Sequence, residues 1–115
     1  MLQKLFGRGE RSKPREVDVA RLARDRPIPG VQVVDVREPD EWRGGHLSGA
    51  IHIPLGELVL RQSELDPERP VVTVCRSGTR SLKAVQLLTQ AGFPTVTSLA
   101  GGMLAWQDAK QPVER

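Results

Sequence analysis

The chain contains one cysteine, Cys75, and it opens the run Cys75-Arg76-Ser77-Gly78-Thr79-Arg80-Ser81. A thiol acts as a nucleophile through its anion, and three features of this run favour that anion. Arg76 and Arg80 place permanent positive charge beside the sulfur. Gly78 permits a tight, left-handed bend that turns successive backbone N–H groups inward. A helix predicted to begin near Ser81 aims its unpaired N–H groups and the positive end of its dipole at the same loop. Cysteines in such surroundings titrate at roughly 3.5–7.5, and that range is the expectation for Cys75. A lone cysteine at a strand end is ordinarily a small apolar filler. The two arginines, the glycine and the helix start together argue for a reactive thiol instead.

Spacing narrows the chemistry. Cysteine phosphatases carry five residues between the cysteine and the loop arginine. Four separate Cys75 from Arg80: Arg76, Ser77, Gly78 and Thr79. A shorter loop makes a smaller cradle, which suits one sulfur atom better than the equatorial oxygens of a phosphoryl group.

The elements that must position this loop follow from the hydrophobic pattern. Val71-Val72-Thr73-Val74 is the clearest strand and runs straight into Cys75. After the loop, Leu82, Val85, Leu88 and Ala91 recur at helical spacing from Ser81 to about Ala91, and Gly92 ends the helix. Upstream, Asp18 caps a short helix from Val19 to about Asp25, closed by Pro27 and Pro29. Gln32 to Val36 forms a β-branched strand, and Pro39 starts a small helix around Glu41 and Trp42. Ile51 to Ile53 forms a brief strand, and Leu55 to Arg61 a short helix. Thr95 to Leu99 is a further strand, and Gly101-Gly102 opens a last helix through Trp106. Strands alternating with helices imply βαβ units, hence an α/β fold with a mainly parallel sheet covered on both faces. Ligands of such sheets sit beyond the carboxyl ends of the strands, where Cys75 stands.

Composition sets the outer limits. The 115 residues suit one domain, and 38% hydrophobic with 27% charged residues is ordinary for a globular chain. No apolar run approaches the roughly 20 residues of a membrane span. The N-terminus lacks the pattern of a secretory signal, and one cysteine makes no internal disulfide, so a cytoplasmic location is expected. The net charge of +3 belongs to the N-terminus: residues 1–15 hold five basic side chains and one acidic, and the rest hold twelve and thirteen. The expected organisation is a basic, flexible extension over 1–15, a domain over 16–110 and a C-terminal tail over 111–115. A basic extension suits nucleic acid or an acidic partner, but the simpler expectation is a solvated terminus. Neither nucleic acid nor membrane is expected as a partner.

Three stretches resemble signatures of the rhodanese family. Asp35-Val36-Arg37-Glu38-Pro39-Asp40-Glu41-Trp42, followed by Gly45-His46-Leu47-Ser48-Gly49-Ala50-Ile51-His52-Ile53-Pro54, looks like its N-terminal motif. The Cys75–Ser81 loop looks like its active-site loop at the sulfurtransferase length. Leu99-Ala100-Gly101-Gly102-Met103-Leu104-Ala105-Trp106 looks like its C-terminal motif. The resemblance runs from about Val17 to Trp106. It implies a parallel five-stranded sheet and a ping-pong reaction in which Cys75 takes sulfur from a donor as a persulfide and hands it to an acceptor. It also implies that the loop from Arg76 to Ser81 holds the outer sulfur through backbone N–H groups, and that Arg80 steers an anionic donor. Thiosulfate is the family's usual assay donor and cyanide its usual assay acceptor.

The remaining motif residues invite plainer roles. Asp35 and Arg37 support the site by holding loops together through hydrogen bonds and an ion pair. An ionised thiol needs no general base, so His46 is expected to be structural, and His52 likewise. Two histidines and one cysteine, widely spaced, make no credible metal site, and no cofactor is implied. Trp42 and Trp106 are expected to pack, and Gly101 and Gly102 to allow a tight turn. With no second cysteine, a persulfide on Cys75 must discharge to an outside acceptor: a small thiol, cyanide or a protein. Two other readings compete with an active sulfurtransferase. One is a sulfur carrier or interaction module that works only with a partner protein. The other is a small cysteine-based phosphatase or arsenate reductase, which the four-residue spacing disfavours.

Overall fold

A computed structural model describes residues 15–25 and 30–115. The rest of the basic extension, residues 1–14, and the helix-closing Pro27 and Pro29 lie outside the described residues. Valine-rich runs set the centre of the sheet. Strands β2 (Gln32–Asp35) and β4 (Val71–Val74) are buried along their whole length. That is the behaviour of a β-branched run in a parallel sheet covered on both faces. They pair in parallel, with Val34 opposite Thr73 and Asp35 opposite Val74. Strand β3 (Ile51–His52) flanks β2, and β5 (Val96–Leu99) flanks β4. A two-residue strand, β1 (Glu16–Val17), completes the order β1-β5-β4-β2-β3, and every pairing is parallel.

The fifth strand carries no sequence pattern of its own. It is held because Ser98 N–H donates to the Arg15 carbonyl at 2.7 Å and Ala100 N–H to the Val17 carbonyl at 2.8 Å. Arg15, expected in the extension, therefore lies against the sheet.

Helices cover both faces. Helix α1 (Val19–Asp25) is capped as expected: the Arg21 N–H donates to Asp18 Oδ1 at 2.8 Å. With α5 (Gly102–Asp108) it covers the face built from Val33, Val72, Val74, Leu99 and the buried Trp106. On the other face, Val34, Val71 and Cys75 pack with Ala84 and Leu88 of α4 (Thr79–Gln90) and with Leu58 of α3 (Leu58–Arg61). Burying a side chain such as Leu88 contributes about 1.5–3 kcal/mol, so these two layers hold the strand ends firmly. Helix α2 (Pro39–Arg43) begins on Pro39 and is closed by a reciprocal capping box between Glu38 and Glu41.

Two further expectations change. Helix α4 begins at Thr79, two residues before Ser81, because Gly78 takes a φ of +116° and serves as its N-cap. Its buried face is Ser81, Ala84, Val85 and Leu88, while Leu82 is 39% exposed. The buried stripe therefore starts on a polar residue of the loop and not on Leu82. Residues 111–115, expected as a tail, run back across the domain. His46 and Glu114 exchange backbone hydrogen bonds at 2.9 and 2.8 Å, and Trp106 Nε1 donates to the Pro112 carbonyl at 2.8 Å. Among the described residues, no helix is long and apolar enough to cross a membrane.

Candidate active site

Cys75 follows the last residue of β4 at the carboxyl edge of the sheet, and it is 1% exposed. The chain then turns through Arg76 and Ser77, both exposed, into the N-terminus of α4. The Gly78 N–H donates to Cys75 Sγ at 3.1 Å and the Ser81 N–H at 3.3 Å. Ser81 Oγ lies 3.4 Å from the same sulfur. No side chain caps α4 in the usual way. The sulfur takes that place, accepting the N–H of the third helical residue as a serine or aspartate oxygen would. This gives the helix-dipole expectation its concrete form.

These contacts determine how the thiol titrates. Burial alone would push it upward. The Ser81 hydroxyl and the N–H groups of Ser81, Gly78 and Ser77 outweigh burial and bring Cys75 below the ordinary thiol value.

The serine is fixed from behind. Ser81 Oγ sits 2.6 Å from Ser98 Oγ and 3.1 Å from the Gly78 carbonyl, and the Ser81 carbonyl accepts the Thr73 hydroxyl at 2.8 Å. Ser81, Ser98 and Thr73 are all fully buried. Ser98 and Thr73 carry no sequence signal that separates them from ordinary strand residues.

The loop carbonyls face the other way. Met103 N–H donates to the Cys75 carbonyl at 2.9 Å and Leu104 N–H to the Arg76 carbonyl at 3.0 Å. Both donors belong to the first turn of α5, whose N–H groups would otherwise lack partners. The Gly101-Gly102 turn, expected only to connect a strand to a helix, also seats that helix on the active loop.

Arg80 does not point alone into the site. Its Nη1 and Nη2 donate to the two carboxylate oxygens of Glu41 at 2.7 and 2.9 Å. The guanidinium holds the Glu41 carboxyl down to about 2, against the opposing effect of burial. Glu41 was not singled out by sequence, since 39 residues separate it from Arg80. Its only local signal is the capping position of α2. Thr79 opens α4 at the exposed rim.

Asp35 and Arg37 meet each other and not the sulfur. Arg37 Nε lies 3.0 Å from Asp35 Oδ1, and Nη2 lies 2.8 Å from Oδ2. Nη2 also donates to the Gly45 carbonyl at 2.7 Å, tying the loop after α2 to the end of β2. His46 stacks on Trp42 with 3.5 Å between ring centroids, and its Nδ1 is 2.9 Å from the Trp42 carbonyl. His52 Nε2 is 2.8 Å from the Arg37 carbonyl. Neither imidazole has a contact with Cys75. Among the described residues, no three His, Cys, Asp or Glu side chains cluster as metal ligands would.

Residues 18–109 match the family model described as Rhodanese-like domain. The chain is 41% identical over 75 residues to the uncharacterized protein YqhL of Bacillus subtilis, a match covering 65% of this chain and 60% of that relative. It is 35% identical over 95 residues to the thiosulfate sulfurtransferase GlpE of Shewanella oneidensis, covering 83% of this chain and 94% of that one. Among solved structures, a rhodanese-related protein from Thermoplasma volcanium superposes with a TM-score of 0.80 at 32% identity. That superposition covers 87% of this chain and 97% of the other.

Proposed function

The chain belongs to the rhodanese-like domain family, and from that premise we propose that it is a sulfurtransferase in which Cys75 carries sulfur as a persulfide. The observation that carries this reading is the cradle around Sγ: two backbone N–H groups at 3.1 and 3.3 Å and a buried hydroxyl at 3.4 Å. Such donors favour an anionic sulfur and are fixed before any reaction begins.

The reaction has two balanced steps. The Cys75 thiolate attacks the outer sulfur of thiosulfate. A new S–S bond forms on Cys75, the sulfur–sulfur bond of the donor breaks, and the electron pair leaves with sulfite. The product is a persulfide anion, whose outer sulfur is received by the loop N–H groups between Arg76 and Ser81. In the second step a nucleophile such as cyanide attacks that outer sulfur, and the pair returns to Cys75 as thiolate. No proton moves in either step, so no general base is required. The only cysteine is Cys75, so sulfur leaves to a separate molecule: cyanide, a small thiol or a protein.

The test is intact-mass measurement after exposure to thiosulfate, on the native chain and on Cys75→Ser. The expected result is a gain of one sulfur on the native chain, reversed by cyanide and absent in the variant. Equal loading of Cys75→Ser overturns the assignment. Steady-state release of thiocyanate distinguishes an enzyme from a carrier, which would load once and turn over poorly without its partner.

A further inference from the structure

Arg80 is the loop cation placed to meet an anionic donor, yet its guanidinium is occupied. Both of its terminal nitrogens donate to Glu41, at 2.7 and 2.9 Å. Glu41 Oε1 also accepts the Glu38 N–H at 3.0 Å, within the capping box of α2. The carboxylate is therefore fixed by its own helix as well as by Arg80. The guanidinium cannot turn toward an incoming anion without giving up both hydrogen bonds. The pair stands at the lip of the site, with 34% of the arginine and 28% of the glutamate side chain exposed.

The surrounding charges are balanced in the same way. Glu38 is a second carboxylate within electrostatic reach of Arg80. Arg37, which also acts on Glu41, is neutralised by Asp35. Arg76 is exposed and has no side-chain partner among the described residues. The formal charges of Arg76, Arg80, Glu38 and Glu41 thus sum to zero before the thiolate is counted. Only Arg76 is left uncovered, so a dianion arriving at this mouth meets one free cation and not two.

We propose that Glu41 is a specificity-determining residue. By holding Arg80 in a neutral pair, it turns the site away from dianionic donors such as thiosulfate and toward sulfane-sulfur donors of lower charge. The proposal rests on the sulfur-transfer reading above. With a monoanionic thiosulfonate the step is the same: the thiolate takes the outer sulfur, the donor S–S bond breaks, and the pair leaves with sulfinate.

Glu41→Gln tests this without dismantling α2, because a glutamine at the third helical position still accepts the Glu38 N–H. The probes are thiosulfate, a dianion, and benzenethiosulfonate, a monoanion. Coulomb energy scales with donor charge, so the monoanion should show the square root of the dianion's fold-change. Expected for Glu41→Gln is a rise in kcat/KM of about 10-fold for thiosulfate and about 3-fold for benzenethiosulfonate, carried mainly by KM. Both gains should shrink in about 0.5 M salt. Glu41→Asp keeps the charge and should keep the wild-type donor ranking. Alkylation of the ionised thiol by neutral iodoacetamide should stay near the wild-type rate. Equal changes for the two donors, no change, or alkylation that moves with them would overturn the role of Glu41. A wild-type chain that takes sulfur from neither donor sinks the sulfur-transfer reading itself. A wild type that loads normally, beside a Glu41→Gln variant with an unaltered donor ratio, sinks only this inference.

Discussion

Gly102 lies so close to the carbonyl of Cys75 that a Cβ on it would stand 2.4 Å from that oxygen. The same Cβ would meet the carbonyl carbon of Arg76 at 2.6 Å. This approach lets the first turn of α5 donate Met103 and Leu104 N–H groups to the Cys75 and Arg76 carbonyls. With those carbonyls engaged from behind, the N–H groups of Gly78 and Ser81 are left facing the sulfur. One helix N-terminus orients the loop, and a second one, that of α4, meets the thiol.

Gly102→Ala should therefore injure both stability and chemistry. Its φ of +59° and the lack of room for a methyl group predict a loss of about 2–4 kcal/mol. Sulfur uptake by the molecules that remain folded should slow, because α5 can no longer seat on the loop. Gly56→Ala is the control: nothing lies within 4 Å of its Cβ, so denaturation should show a change below about 0.5 kcal/mol. Wild-type stability and loading in Gly102→Ala would contradict the seating role.

Ser98 should tune the thiol through Ser81. Once Cys75 is ionised, the one hydroxyl proton of Ser81 is directed to Sγ, and Ser98 becomes the donor across the 2.6 Å Oγ–Oγ contact. Ser98→Ala removes that support and should raise the thiol pKa, though by less than Ser81→Ala, which loses the direct bond. Each substitution should also cost about 1 kcal/mol of stability. The pH profile of iodoacetamide alkylation measures the effect. A Ser98→Ala profile identical to wild type would reduce Ser98 to packing.

Much of this arrangement is legible in the chain, and the parts that are not have physical reasons. Val71–Val74 and Gln32–Asp35 announce themselves because β-branched runs have few other uses. The Cys75 loop is legible because its cations, its glycine and its helix start are contiguous. Glu41 is hidden because its partner, Arg80, lies 39 residues away and local spacing says nothing of it. Ser81 and Leu82 show the opposite failure. Hydrophobic periodicity places Leu82 inside, but the helix begins at Thr79, capped by Gly78 beside the sulfur, and the polar Ser81 takes the buried position. Local pattern and tertiary need diverge where function imposes its own geometry. The two-residue strand β1 is too short for any period to register.

The thiol should also make stability depend on pH, with a definite sign. Cys75 is lowered in the folded chain, because the Ser81 and Gly78 donors outweigh burial. The unfolded chain keeps a thiol near about 8.5. Between the lowered folded value and that figure the unfolded state binds more protons, so stability rises with pH. The contribution is complete above the unfolded value and is lost as pH falls through the folded one. Cys75→Ser lacks it. Denaturation curves of the two proteins should therefore diverge as pH rises through the interval below about 8.5, wild type gaining. A difference that is flat or reversed across that interval would mean that the cradle does not favour the anion.

Asp35 separates support from chemistry. It stands at the end of β2 beside Val74, one residue from the nucleophile along the neighbouring strand, so a direct role is geometrically tempting. Yet among the described residues its carboxylate accepts only from Arg37, through the side chain and through the backbone N–H at 3.0 Å. The pair is buried, at 1% and 7% exposure, so Asp35→Ala strands a guanidinium with little beyond the Gly45 carbonyl to receive it. That should cost about 3–5 kcal/mol. Asp35→Asn keeps the volume and one acceptor oxygen, and should be milder. If Asp35 only supports the fold, Asp35→Asn lowers the denaturation midpoint and leaves persulfide loading per folded molecule at the wild-type rate. If instead it acts on the reacting sulfur, loading falls in a variant that remains folded, and Asp35 joins the catalytic residues.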